Sequence, residues 1–133
     1  MKGIADTGFV VAFLNRRDRY HAWAAGLASQ LSEPLLTCDA VLSEAAFQLG
    51  SSFAVLGLIE DGLLKPEFVV ADHLPQLAHL ARRYRDRAPG FADLCIIRLS
   101  ELYRSHKVVT VDGDFRIYRR NGREAIPLII PRE

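Results

Sequence analysis

Three observations predict an α/β fold in which a parallel sheet lies between two layers of helices. Short β-rich or apolar runs alternate with longer segments of helical period from one end of the chain to the other. Two of the runs end directly in an aspartate, Asp6 and Asp112, and open α/β sheets bind their ligands outside the carboxyl ends of strands. No internal repeat, low-complexity stretch or linker interrupts the 133 residues, so one domain spanning 1–133 is expected.

The elements follow in order. Gly3-Ile4-Ala5 reads as a buried strand, and Asp6-Thr7-Gly8 turns it into a short apolar helix, Phe9 to Leu14, closed by Asn15. Tyr20 to Leu31 places Trp23, Leu27 and Leu31 four residues apart, an amphipathic helix in which the tryptophan is expected to face the core. Pro34 to Thr37 is a short second strand. From Asp39 to Leu49 the apolar positions Val41, Leu42, Ala45, Ala46 and Leu49 recur with helical period, with Asp39 as the expected N-cap and Gly50 as the stop. Ser51-Ser52 opens a further helix, Phe53 to Asp61, ending at Gly62.

Phe68-Val69-Val70 is β-rich and is expected to be the third strand. Leu74 to Tyr84 is helical, with Leu77, Leu80, Ala81 and Tyr84 on one side. Pro89-Gly90 breaks the chain before a helix from Phe91 to Tyr103, whose stripe is Ala92, Cys95, Ile96, Leu99 and Leu102. Lys107 to Val111 is a β-branched strand, and Pro127 to Ile130 a last short one, placed at a sheet edge because proline cannot donate to a ladder.

Composition narrows the chemistry. Half of the residues are apolar, enough for a core without disulfides or a structural metal. Net charge is +1, which by itself points to no polyanionic partner, but 14 of the 17 basic residues are arginine and they cluster at 16–19, 82–87 and 116–123. Cys38 and Cys95 lie in separate apolar segments, as buried reduced thiols of a cytoplasmic protein do. No apolar run approaches the ~20 residues that span a bilayer. His21, His73, His79 and His106 lack ligand spacing, and no HExxH, paired-cysteine, GxSxG or P-loop pattern is present.

The acids are more informative. Asp6 and Asp112 sit at strand ends, Glu44 interrupts the apolar helix around Val41–Ala46, and Asp93 lies in the first turn of the Phe91 helix. Singly, each has an ordinary role as a cap, a turn former or an exposed position. If they converge, their repulsion calls for a counter-charge, and Mg²⁺ or Mn²⁺ takes such all-oxygen ligands.

The same residues carry a family resemblance. Asp6-Thr7-Gly8 before an apolar helix resembles the opening of PIN-domain nucleases, and Ser43-Glu44-Ala45 resembles their second acidic motif. Tyr84-Arg85-Asp86-Arg87-Ala88-Pro89-Gly90-Phe91-Ala92-Asp93 looks like the third, and Thr110-Val111-Asp112-Gly113-Asp114-Phe115 is similar to the fourth. The ordered set runs from residue 1 to about 130. It implies a PIN-like three-layer sandwich and metal-assisted hydrolysis of RNA phosphodiester bonds, with Asp6, Glu44, Asp93 and Asp112 as catalytic acids. Asp6, Asp93 and Asp112 would ligate Mg²⁺ or Mn²⁺. In the fourth motif either Asp112 or Asp114 could carry the metal role; Asp112, at the strand end, is favoured, with Asp114 as a second ligand or water-orienting group. Thr7 and Thr110 would support them, and Arg116, Arg119 and Arg120 would hold RNA phosphates. For members of this length the resemblance also implies VapC-type toxins of toxin–antitoxin pairs, with an antitoxin partner and a homodimer.

Two rival readings remain at this level. One is another Mg²⁺-dependent phosphoryl-transfer enzyme, although the DxDx[TV] of haloacid-dehalogenase-type phosphatases and the acidic pair of receiver domains are both missing. The other is a catalytically silent PIN-like module that binds RNA or protein.

Overall fold

The computed structural model describes residues 1–132. Five short strands, β1 (Gly3–Ala5), β2 (Leu35–Thr37), β3 (Leu64–Pro66), β4 (Lys107–Val109) and β7 (Leu128–Ile129), form a parallel sheet in the order β3-β2-β1-β4-β7. Helices cover both of its faces. They are α1 (Thr7–Leu14), α2 (His21–Ala28), α3 (Asp39–Leu49), α4 (Ser52–Glu60), α5 (Leu74–Arg83) and α6 (Phe91–Leu102). A two-stranded antiparallel ribbon of β5 (Arg119–Arg120) and β6 (Glu124–Ala125) lies outside the sheet.

The chain leaves β1 toward β2 and β3 on one side, then returns to place β4 on the other side of β1. The β1–β4 seam is therefore the topological switch point, where the crossovers diverge and open a crevice at the strands' carboxyl ends. Register is tight there. Ile4 pairs with Val108 and Ala5 with Val109, and the Asp6 N–H donates to the Val109 carbonyl at 3.1 Å. On the other flank the Thr37 hydroxyl donates to the Ala5 carbonyl at 2.9 Å, which fixes where β2 ends and α3 begins.

Packing accounts for the helices' different faces. In α6, Ala92, Leu94, Cys95, Ile96, Ile97, Leu99 and Ser100 are all buried, so this helix is enclosed nearly all round. It lies over β1 and β4 and also touches α3 and α5. Helix α1 buries Phe9, Val10 and Ala12, with the half-buried Trp23 of α2 edge-on to Phe9 at 6.1 Å. The expected stop at Gly50 is present, in the left-handed conformation at φ 67°.

Three expectations are corrected. The third strand is Leu64–Pro66 and not Phe68-Val69-Val70. Strand β2 offers only three residues, which pair with Leu64 to Pro66. Beyond them Phe68 turns into the core, stacked on the His73 ring at 4.9 Å, and Val70–His73 forms a 3-10 turn. Burial thus overrides β-propensity in that segment. Cys38, not Asp39, is the N-cap of α3, and Asp39 is its first helical residue. The β5–β6 ribbon was not expected, although Asn121-Gly122, both at positive φ, carry a familiar hairpin signal.

Gly8 has a steric reason to be glycine. A Cβ there would lie 2.3 Å from Cγ2 of Val111, the residue between Thr110 and Asp112. Gly8→Ala is expected to lower stability by about 1–3 kcal/mol through overpacking, read as a lower melting temperature that Val111→Ala largely restores. An unchanged melting temperature in the single variant would contradict this close approach.

Candidate metal centre

Three separate elements deliver the carboxylates. Asp6 follows β1, Asp93 lies in the first turn of α6, and Asp112 stands three residues beyond the end of β4. Each offers an oxygen within 4.8 Å of the oxygens offered by the other two. Residues 87 and 106 positions apart in sequence from Asp6 thus meet it at the switch point of the sheet.

Local hydrogen bonds orient each head group. Asp6 occupies the N-cap position of α1, yet its side chain makes no capping bond. Its Oδ2 instead accepts from the Thr110 hydroxyl at 2.8 Å. The same hydroxyl oxygen accepts the Asp112 N–H at 2.9 Å, so Thr110 bridges two of the acids. Oδ2 of Asp93 accepts the Gly90 N–H at 3.1 Å, the backward reach of an acid in a first helical turn. Oδ1 of Asp112 accepts the Asp114 N–H at 2.9 Å and so shapes the 3-10 turn Gly113–Arg116. A carboxylate has about four acceptor positions, so these bonds fix direction without exhausting the groups.

The electrostatics are one-sided. Burial pushes the Asp6 carboxyl up to about 7, against the pull of the Thr110 hydroxyl and the Thr7 N–H, and the charges of Asp93 and Asp112 push it further. Burial likewise raises Asp93 to about 6, and Asp112, Glu44 and Asp114 add to the effect. The charges acting on both groups are carboxylates. A buried hydroxyl, Thr7 Oγ1, also lies beside Asp6 in sequence with no hydrogen-bond partner among the described residues. An orphaned polar atom next to uncompensated acids suits a site that takes a hydrated cation, and hard oxygen donors suit Mg²⁺ or Mn²⁺.

The remaining expected site residues fall into two groups. Glu44 is exposed on α3; its charge reaches Asp93, but it is outside the close trio. Asp114 is also outside the trio, and its Oδ1 lies 3.5 Å from the Arg87 guanidinium. Among the arginines, Arg116 is exposed. Arg119 donates to the carbonyls of Arg116, Ile117 and Tyr118. Arg120 is buried, ion-paired with Glu124 and bonded to the carbonyls of Ser100 and Arg104, so it anchors the β5–β6 ribbon to α6 and faces no substrate. The sequence placed Arg87 in a basic cluster but gave it no role at the acids, and Tyr118 was not singled out. Arg87 reaches Asp114, and the buried Tyr118 hydroxyl is raised to about 12 by burial and by Asp93, Asp114 and Asp112. No local pattern distinguishes either one from its neighbours.

Comparisons with known proteins agree with the fold. The family described as PIN domain matches residues 4–121. The crystal structure of VapC20 from Mycobacterium tuberculosis, described as a sarcin–ricin-loop-cleaving toxin, superposes with a TM-score of 0.72 at 23% identity, covering 84% of this chain and 90% of that one. No curated protein sequence matches. Among the described residues, no helix is long and apolar enough to cross a membrane.

Two expected outcomes follow from this geometry. Unfolded Asp6 ionises near 3.8, whereas folded Asp6 holds its proton to about 7. The folded state therefore binds more protons between those values, and the metal-free protein loses stability as pH rises through the window. Glu67 and Glu124 shift downward beside their cationic partners, so their contribution falls below 4.5 and does not mask the trend. In chelator, Asp6→Asn should melt above the wild type at pH 7.5 and not at pH 4; the reverse order at pH 7.5 would contradict the buried, uncompensated charge. Thr110→Val leaves the Asp112 N–H without its acceptor and should cost about 1–3 kcal/mol in denaturant unfolding; a neutral effect would show that the hydroxyl bridge does not hold the site.

Proposed function

The chain belongs to the PIN-domain family, and we propose that it is a divalent-metal-dependent endoribonuclease. One observation carries the reading: three carboxylates from three elements, partly buried and held together at the sheet's switch point, where burial and neighbouring carboxylates push Asp6 and Asp93 up. A structural role does not account for that arrangement, because each acid would stabilise the fold better with a cation beside it.

Asp6, Asp93 and Asp112 would hold Mg²⁺ or Mn²⁺. Such an ion, when bound, neutralises charge developing on a phosphoryl group and makes water a stronger nucleophile. Hydrolysis adds water across one P–O bond of the RNA, and Glu44, exposed and within the electrostatic reach of Asp93, would orient that water. Thr110 keeps Asp6 and Asp112 at their spacing through both of its hydrogen bonds. Thr7 offers a hydroxyl without a hydrogen-bond partner among the described residues. Arg116, exposed next to the fourth acidic segment, suits a flanking RNA phosphate.

The family supports RNA as substrate, and likeness to a toxin ribonuclease supports a place in a toxin–antitoxin pair. Phe47, Phe53 and Leu56 are 88%, 89% and 57% exposed on α3 and α4. Apolar side chains so far out of the core suit a protein partner, a second copy or an antitoxin. The two free cysteines, both buried, suit the reducing cytoplasm.

With labelled RNA, the wild type should cleave in Mn²⁺ and stop in chelator. Asp6→Asn and Asp93→Asn should each lose at least ~100-fold in rate while remaining folded. Full activity in either variant would remove the three-acid site as the seat of catalysis.

A further inference from the structure

Arg87 is the cation that comes to the acids, and its surroundings are those of a side chain waiting for an anion. It ends a 3-10 turn, Arg85–Arg87, between α5 and α6. Its N–H donates to the Tyr84 carbonyl at 2.9 Å, and the next residue, Ala88, adopts the left-handed conformation at φ 46°. Tyr84 is buried against Tyr118 at 5.0 Å between ring centres, and its hydroxyl accepts the Arg119 N–H at 2.8 Å. The turn that carries Arg87 is therefore pinned to the segment that follows Asp112 and Asp114.

The guanidinium itself is held loosely. Among the described residues its polar side-chain contact is a 3.5 Å approach to Asp114 Oδ1, with the two side chains 42% and 50% exposed. An exposed pair of this kind contributes little, and most of the five N–H donors of the guanidinium are left over. Asp114 in turn donates its backbone N–H to the carboxylate of Asp112. One residue thus separates the resting partner of Arg87 from a carboxylate of the trio. Arg119, by contrast, is held through Nη1 to three of the chain's own carbonyls, and Arg120 spends Nε, Nη1 and Nη2 on Glu124 and two carbonyls.

We propose that Arg87 is a substrate-binding residue that leaves Asp114 to grip one phosphate next to the scissile bond. The proposal rests on the nuclease reading above and assigns to that site a phosphate contact from the α5–α6 turn. A planar fork fits two phosphate oxygens better than it fits one distant carboxylate oxygen. Asp114 serves as the resting counter-ion, keeping the fork at the rim of an otherwise acidic crevice until a polyanion displaces it.

The test measures binding of a ten-nucleotide RNA by fluorescence anisotropy in Ca²⁺ and in chelator, with each phosphate in turn replaced by a neutral methylphosphonate. In the wild type one position should weaken binding about tenfold, and in Arg87→Ala the same replacement should matter less than twofold. Arg87→Ala should also lower the slope of log affinity against log salt by about 0.7, the value for one contact to a single strand, and Arg87→Lys should recover the slope but not the full affinity. If every position weakens Arg87→Ala as much as the wild type, Arg87 holds no particular phosphate and the proposal is overturned while the nuclease reading stands. If the wild type neither binds nor cleaves RNA, both fall together.

Discussion

A single oxygen sets the geometry on which the candidate site depends. Thr110 Oγ1 gives its proton to Asp6 and takes the N–H of Asp112, so it spans the carboxyl ends of the two central strands. Three side-chain oxygens of like charge do not stay together unaided. The parallel pairing of β1 and β4 sets their approach, the Thr110 bridge sets their direction, and the tight contact of Gly8 with Val111 keeps α1 close to the fourth segment. Helix α6 then brings Asp93 over the seam because Ala92, Leu94, Cys95, Ile96, Ile97 and Leu99 must be buried there.

Electrostatics turns this scaffold into a site. The fold holds its acids in a partly desolvated position with their charges unopposed, a state that stabilises a bound cation more than it stabilises the protein alone. The unshared acceptor positions of the aspartates and the orphaned Thr7 hydroxyl point to the same conclusion from the side of hydrogen bonding. Charges of the opposite sign stand at the rim, at Arg87 and Arg116, where a polyanion would arrive.

Much of the architecture was legible in the chain itself. Strand β1, helices α3, α5 and α6 and the edge position of β7 follow from apolar periodicity, glycine stops and proline, because in these segments local preference and tertiary packing agree. Phe68-Val69-Val70 misled because Phe68 turns into the core while Val69 stays exposed, and the three residues of β2 are already paired with Leu64–Pro66. The meeting of Asp6, Asp93 and Asp112 was anticipated from strand ends and motif order. Their relation to Glu44, Asp114 and the arginines was not, since side chains two or three residues apart in a turn diverge in ways that spacing does not encode. Arg120 is the plainest case: in sequence it sits in a basic cluster, and in the fold it is buried in a network with Glu124, Ser100 and Arg104.

The central claim is that the three aspartates form one cation site. Crystals soaked in Mn²⁺ and measured at the manganese absorption edge test it most directly. An anomalous peak is expected at coordination distance from carboxylate oxygens of Asp6, Asp93 and Asp112, lost in Asp6→Asn crystals treated in the same way. A peak on Glu44 or Asp114 alone, or no peak near the β1–β4 seam under saturating ion, would contradict it.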